Sequence, residues 1–101
     1  MVARVVYSGR ALGDLERIAG FLDHAGQAVV RGAIDGVLEA VELLARHPLL
    51  GHPAEHELRE LMISRGKTGY LALYDFREEE DVVLVLAIRH QRELREPGED
   101  E

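Results

Sequence analysis

Val82-Val83-Leu84-Val85-Leu86-Ala87-Ile88 is apolar at every position and rich in β-branched residues, the composition of a strand that must be covered on both faces. Just upstream, Tyr70-Leu71-Ala72-Leu73-Tyr74-Asp75-Phe76 reads as a second strand, rich in aromatic residues, and the acidic run Glu78-Glu79-Glu80-Asp81 as the solvated hairpin turn between the two. Leu58-Arg59-Glu60-Leu61-Met62-Ile63 supplies a third strand, with Arg65-Gly66-Lys67-Thr68-Gly69 as the turn into the second. Before it, His47-Pro48-Leu49-Leu50-Gly51-His52-Pro53 is a loop on its two prolines and its glycine.

The first half of the chain has a different period. Arg4-Val5-Val6-Tyr7 is a short strand, and Ser8 is placed to cap a helix by accepting a bond from an orphan backbone N–H. Leu12, Leu15, Ile18, Ala19, Leu22 and Ala25 then keep the three-and-four spacing of one buried stripe, and Gly26 ends that helix. A second helix is expected from about Ala28 to Arg46, with Val30, Ala33, Ile34, Val37, Leu38, Val41, Leu44 and Ala45 as its apolar stripe and Pro48 forbidding continuation. The order β-α-α-β-β-β gives an α+β fold, a small, mostly antiparallel sheet packed on a helical hairpin. Two helices cover only one face of such a sheet. The last two strands are apolar on both faces, and a surplus apolar surface usually marks a partner site.

The 101 residues, 47% of them hydrophobic, suit one compact domain over residues 1–95, followed by an acidic, disordered tail over 96–101. With no cysteine, a disulfide scaffold, a thiolate metal site or a thiol nucleophile is excluded. No apolar run approaches the length of a membrane span and the start does not read as a signal peptide, so neither membrane nor export is indicated and the cytoplasm is the expected compartment. A net charge of −7 argues against a general polyanion binder. The acids are concentrated, however, in Glu78 to Asp81 and in Glu96, Glu99, Asp100 and Glu101, which leaves the rest of the chain near neutrality and able to carry a local basic site.

Such a site is legible. Arg65 and Lys67 lie in the turn before the central strand, and Arg89, His90 and Arg92 at the end of the last one. If the two strands form a hairpin, both stretches reach one edge of the sheet. There the arginines could hold phosphates through their forked donors, with His90 available for proton transfer near neutral pH. The alternative is a solvated strand end paired with Glu93 or the tail. His47, His52 and His56 follow no recognised ligand pattern, and no metal or cofactor is expected. Ser8 and Ser64 are the two serines, neither in a nucleophile elbow.

Leu12-x-Asp14-Leu15-x-x-Ile18, Pro48-x-x-Gly51-x-Pro53, Leu58-Arg59-Glu60-Leu61, Gly69-Tyr70-x-Ala72-Leu73-Tyr74 and above all Ile88-Arg89-His90-Gln91-Arg92-Glu93 resemble the RelE/ParE toxin superfamily of bacterial type II toxin–antitoxin systems, over about residues 4 to 93. The resemblance implies a toxin neutralised by a cognate antitoxin in a hetero-oligomer, with a role in maintenance of a plasmid or chromosomal element. The antitoxin is expected to cross the hairpin near Leu15, Ile18 and Leu22, add to the sheet and reach Tyr70 and Tyr74. ParE-like members inhibit DNA gyrase; RelE-like members cleave messenger RNA in the ribosomal A site with clustered basic residues and a late Tyr. With no tyrosine beyond Tyr74 and Lys67 as the one lysine, the sequence is closer to the ParE-like pattern, which implies growth inhibition through gyrase, contacted by Arg65, Lys67, Arg89, His90 and Arg92, and no catalysis. The alternatives are a ribosome-dependent mRNA endonuclease using Arg65, Arg89, His90 and Arg92, and a detoxified relative that only interacts.

Overall fold

The computed structural model describes residues 2–65 and 68–90, with 64, 65 and 68 described by their backbone alone. Lys67, Arg92 and the tail 96–101 lie outside the described residues. Strand β1 (Arg4–Tyr7) leads into helix α1 (Gly9–Leu22), a 3-10 turn (Asp23–Ala25) and helix α2 (Gln27–Glu42). Strands β2 (His52–Pro53), β3 (Arg59–Arg65), β4 (Thr68–Arg77) and β5 (Val82–His90) follow. The sheet order is β1-β5-β4-β3-β2; β1 runs parallel to β5 and every other pair is antiparallel. The α+β architecture read from the sequence is present, with one addition. The loop before β3 contributes the two-residue strand β2, which carries too little pattern to be read from sequence.

Ser8 caps α1 as expected, its hydroxyl accepting from the Ala11 amide at 3.1 Å. Between the helices, Gly26 takes φ 102°, a conformation that favours glycine. The buried stripe of α2 includes Ala33, Val37 and Val41, continued by Leu44 and Ala45 in the next turn. That of α1 is rotated from the expected one. Ala11 and Ile18 are its buried residues, Leu15 and Leu22 are half-buried, and Leu12 is half exposed, because the helix turns its Ala11, Asp14, Ile18 and Phe21 side toward β5.

Both helices pack on one face of the sheet, against Leu61, Ile63, Tyr70, Ala72, Tyr74, Val83, Val85 and Ile88, with Val5, Tyr7 and Phe76 at the margin. The opposite face carries Val6, Leu73 and Leu84, each half-buried, Leu71 and Ala87, 6% and 3% exposed, and Met62, 45% exposed. The strands are thus apolar on both faces, as their compositions led one to expect, and the second face is exposed chiefly at Met62 and in part at Val6, Leu73 and Leu84.

At the far end of β4 the Pro48–Gly51 loop is sealed onto the sheet. The buried Tyr74 hydroxyl donates to the Pro48 carbonyl at 2.8 Å and accepts from the Gly51 amide at 2.9 Å, while Arg59 donates to the carbonyls of Gly51 and Leu49 at 2.8 and 3.3 Å. A Cβ on Gly51 would come within 2.7 Å of the Glu60 carbonyl oxygen and 2.8 Å of the Tyr74 ring, so only glycine fits. Burial pushes the Tyr74 hydroxyl above its ordinary value of 10.0, partly offset by the Gly51 amide and the Arg59 charge. Burial, with Glu42 nearby, also raises Tyr7.

Candidate functional site

The antiparallel pairing of β4 with β5 places Tyr70 beside His90 and Leu71 beside Arg89, so the start of one strand meets the end of the other as expected. The pairing of Arg65 with Thr68, at the end of β3 and the start of β4, lies at the same end of the sheet. The backbone of Arg65 thus shares an end with Arg89 and His90, and the side chain of Arg65 lies outside what is described.

Arg89 and His90 are not brought together. Successive strand side chains point to opposite faces, and His90 turns toward the helices. Its imidazole meets the Tyr70 ring edge-on with centroids 5.1 Å apart and lies 6.5 Å from the Phe21 ring. Arg89, half-buried, faces the other way, in a row with Leu71 and Met62 across the opposite face, and forms no ion pair among the described residues.

The cause of this division is a bulge. Partners across β4 and β5 step from Leu73↔Ala87 to Tyr74↔Val85, which leaves Leu86 as an extra residue on β5. Val83 and Val85 face the core before it, and Ile88 and His90 after it. Without the extra residue, Arg89 would turn inward and His90 outward. The bulge forms where β1 has ended. Past the Ser8 amide, which donates to the Val85 carbonyl at 2.9 Å, β5 has no strand neighbour on that side. Side chains take over: the Ser8 hydroxyl donates to the Leu86 carbonyl at 3.1 Å, and Asp14 Oδ2 accepts from the Ile88 amide at 3.0 Å.

Two aromatic groups of this end, one on α1 and one in the 3-10 turn that follows it, were not anticipated. Phe21 is 65% exposed, and His24, 6.5 Å from it in edge geometry, donates through Nδ1 to the Phe21 carbonyl at 3.0 Å. The signal that could have found Phe21 is the 3-4-3 spacing of Ala11, Asp14, Ile18 and Phe21, a face masked by the more apolar neighbouring stripe. Of the positions expected to meet an antitoxin, Ile18, Tyr70 and Tyr74 are 3%, 1% and 0% exposed and belong to the core; Leu15 and Leu22 are half-buried. No three His, Asp or Glu side chains converge as a metal site among the described residues, and His47, His52 and His56 are each exposed. Among the described residues, no helix is long and apolar enough to cross a membrane.

Comparison with known proteins places this geometry. The family described as "ParE toxin of type II toxin-antitoxin system, parDE" matches residues 5–95. Toxin RelE3 of Caulobacter vibrioides is 36% identical over 86 residues, spanning 85% of this chain and 91% of its own. Among solved structures, the toxin–antitoxin complex RelBE2 of Mycobacterium tuberculosis aligns with a TM-score of 0.61 at 26% identity, over 90% of this chain and 100% of that one. The chromosomal ParDE system of P. aeruginosa aligns at 0.72 and 19% identity over 88% and 96%, a likeness of fold.

Proposed function

Because the chain belongs to the ParE toxin family, and so is a type II toxin–antitoxin toxin of the RelE/ParE superfamily, we propose that it inhibits DNA gyrase through the β4–β5 end of its sheet and is held inactive by a cognate antitoxin. The observation that carries this reading is the division of Arg89 and His90 between the two faces. A nuclease needs its proton-transfer group and its phosphate-binding cations converging on one bond. Here the imidazole is engaged with Tyr70 and the arginine looks away from it, an arrangement suited to contact with a protein. The absence of a tyrosine beyond Tyr74 points the same way.

The antitoxin reading draws on the solved relatives described as toxin–antitoxin complexes. The segment would follow the half-buried flank of α1 at Leu15 and Leu22, with exposed Leu12 beside it, and then add to the sheet through unpaired edge backbone. A burial on the order of 2,000 Å² suits so permanent a pair.

The test is a pair of assays on the purified toxin. Supercoiling by gyrase should be blocked in a way that Arg89→Ala relieves and added antitoxin reverses, with ribosome-programmed messenger RNA left intact. Unimpeded supercoiling at saturating toxin together with ribosome-dependent cleavage would replace this reading by the RelE-like one, which kinship with a toxin named RelE3 favours. Inactivity in both assays with antitoxin binding retained would mark a detoxified relative.

A further inference from the structure

We propose that Asp14, seconded by Ser8, is a positioning residue that sets the orientation of the β5 end from helix α1, an inference resting on the reading above that this end meets the target. β1 pairs with β5 only as far as Val85, so beyond that point β4 is the one strand neighbour of β5 and its other edge has no strand to hold it in register. Nothing in Val82 to Ile88 could fix it through composition, since each of these residues is content on either face. A β5 without its extra residue would bury Ala87 beside the helices and turn the Arg89 guanidinium toward Tyr70, while His90 moved to the opposite face.

The side chains that oppose this slip come from α1 and its cap. Asp14 lies in the second turn of the helix that Ser8 caps, and its side chain is 14% exposed. Oδ2 accepts the Ile88 amide at 3.0 Å, and Oδ1 faces Arg17 at 3.5 Å. The Ser8 hydroxyl grips the bulged residue itself through the Leu86 carbonyl. Both bonds therefore lie within a few residues of Arg89 and His90, and both exist only in the bulged register. A charge-assisted acceptor on a backbone amide is among the stronger hydrogen bonds available to a strand edge. The aromatic contacts of His90 with Tyr70 and Phe21 then follow from the register, since they need the imidazole on the helix side.

The experiment compares Asp14→Ala, Asp14→Asn and Arg17→Ala in the full chain by three readouts: exchange of the Ile88 amide, ring-to-ring proton contacts between His90 and Tyr70, and growth inhibition at matched levels of folded protein. Asp14→Ala is expected to speed Ile88 exchange tenfold or more, weaken the His90–Tyr70 contact and reduce growth inhibition by at least tenfold, with antitoxin affinity kept. Asp14→Asn, which retains an oxygen acceptor, should restore all three, and Arg17→Ala, which removes the charge facing Asp14 Oδ1 but keeps the Oδ2 acceptor, should leave them unchanged. Asp14→Ala with Ile88 protection and ring contacts intact overturns the proposal, whatever happens to toxicity. Altered exchange and ring contacts with full toxicity would show that orientation is set by Asp14 but is irrelevant to the target. If Arg89→Ala and His90→Ala are themselves fully toxic, the reading of this end as the target site fails, and the exchange and ring readouts still decide whether Asp14 holds the strand.

Discussion

Tyr70 and Tyr74 lie on the same face of β4 and are about equally buried, yet they finish in different company. Tyr74 spends both capacities of its hydroxyl on the backbone of the Pro48–Gly51 loop, with Arg59 bonded to the same loop, so that end of the sheet is closed by hydrogen bonds between rigid groups. Tyr70 offers its ring to His90, which meets Phe21, which is largely exposed; that end grows outward from the core through ring contacts and is steadied by Asp14 of α1 and by its cap, Ser8. The first arrangement is expensive to disturb and presents little to a partner. The second presents an aromatic ring, an imidazole and an arginine. On the proposed reading of the β4–β5 end, stability and recognition are divided between the two ends of one strand.

The contrast breaks most visibly at Gly51. Gly51→Ala forces a Cβ into the Glu60 carbonyl and the Tyr74 ring, and should destabilise the fold by about 3 kcal/mol, seen as a fall in Tm of roughly 10–20 °C. An unchanged Tm would mean that the loop is not sealed as described. Tyr74→Phe should follow at about 2 kcal/mol, because it leaves the Gly51 amide and the Pro48 carbonyl without their partner, and antitoxin binding by the folded fraction should be unaffected.

Alkaline pH probes the same closed end. The hydroxyls of Tyr7 and Tyr74 hold their protons above 10.0, where the unfolded chain would ionise. Their contribution to stability is therefore complete below about pH 10 and is lost as pH rises from there through the folded values, because the unfolded state then binds fewer protons. Urea midpoints should be flat in this respect up to about pH 10 and fall beyond it. Tyr74→Phe should shallow that fall; an unaltered slope would assign the titration to Tyr7 alone. The smallest effect on stability is expected at the open end. Phe21→Ala should cost less than about 1 kcal/mol, since the ring is 65% exposed, but lower growth inhibition about tenfold if the ring anchors the target. Full toxicity of a folded Phe21→Ala chain would confine the contact to the sheet residues.

Much of this molecule was legible in its sequence, because its two halves carry different periods. The three-and-four spacing of Ala33, Val37 and Val41 leaves few options besides a helix, and the acidic run from Glu78 ends two apolar segments that can only be strands. The meeting of Tyr70 with His90 followed from reading those segments as a hairpin. What the residues could not disclose was the side on which each member of the site faces. A strand apolar at every position has no alternation from which register can be read, so Val82 to Ile88 is compatible with either phase. The bulge at Leu86 decides between them, held by Ser8 and Asp14, which lie 78 and 74 residues away in the chain from the backbone groups they bind. The composition of β5 determined that it would be a strand and would be buried; only its packing against α1 determined that Arg89 would look out and His90 in.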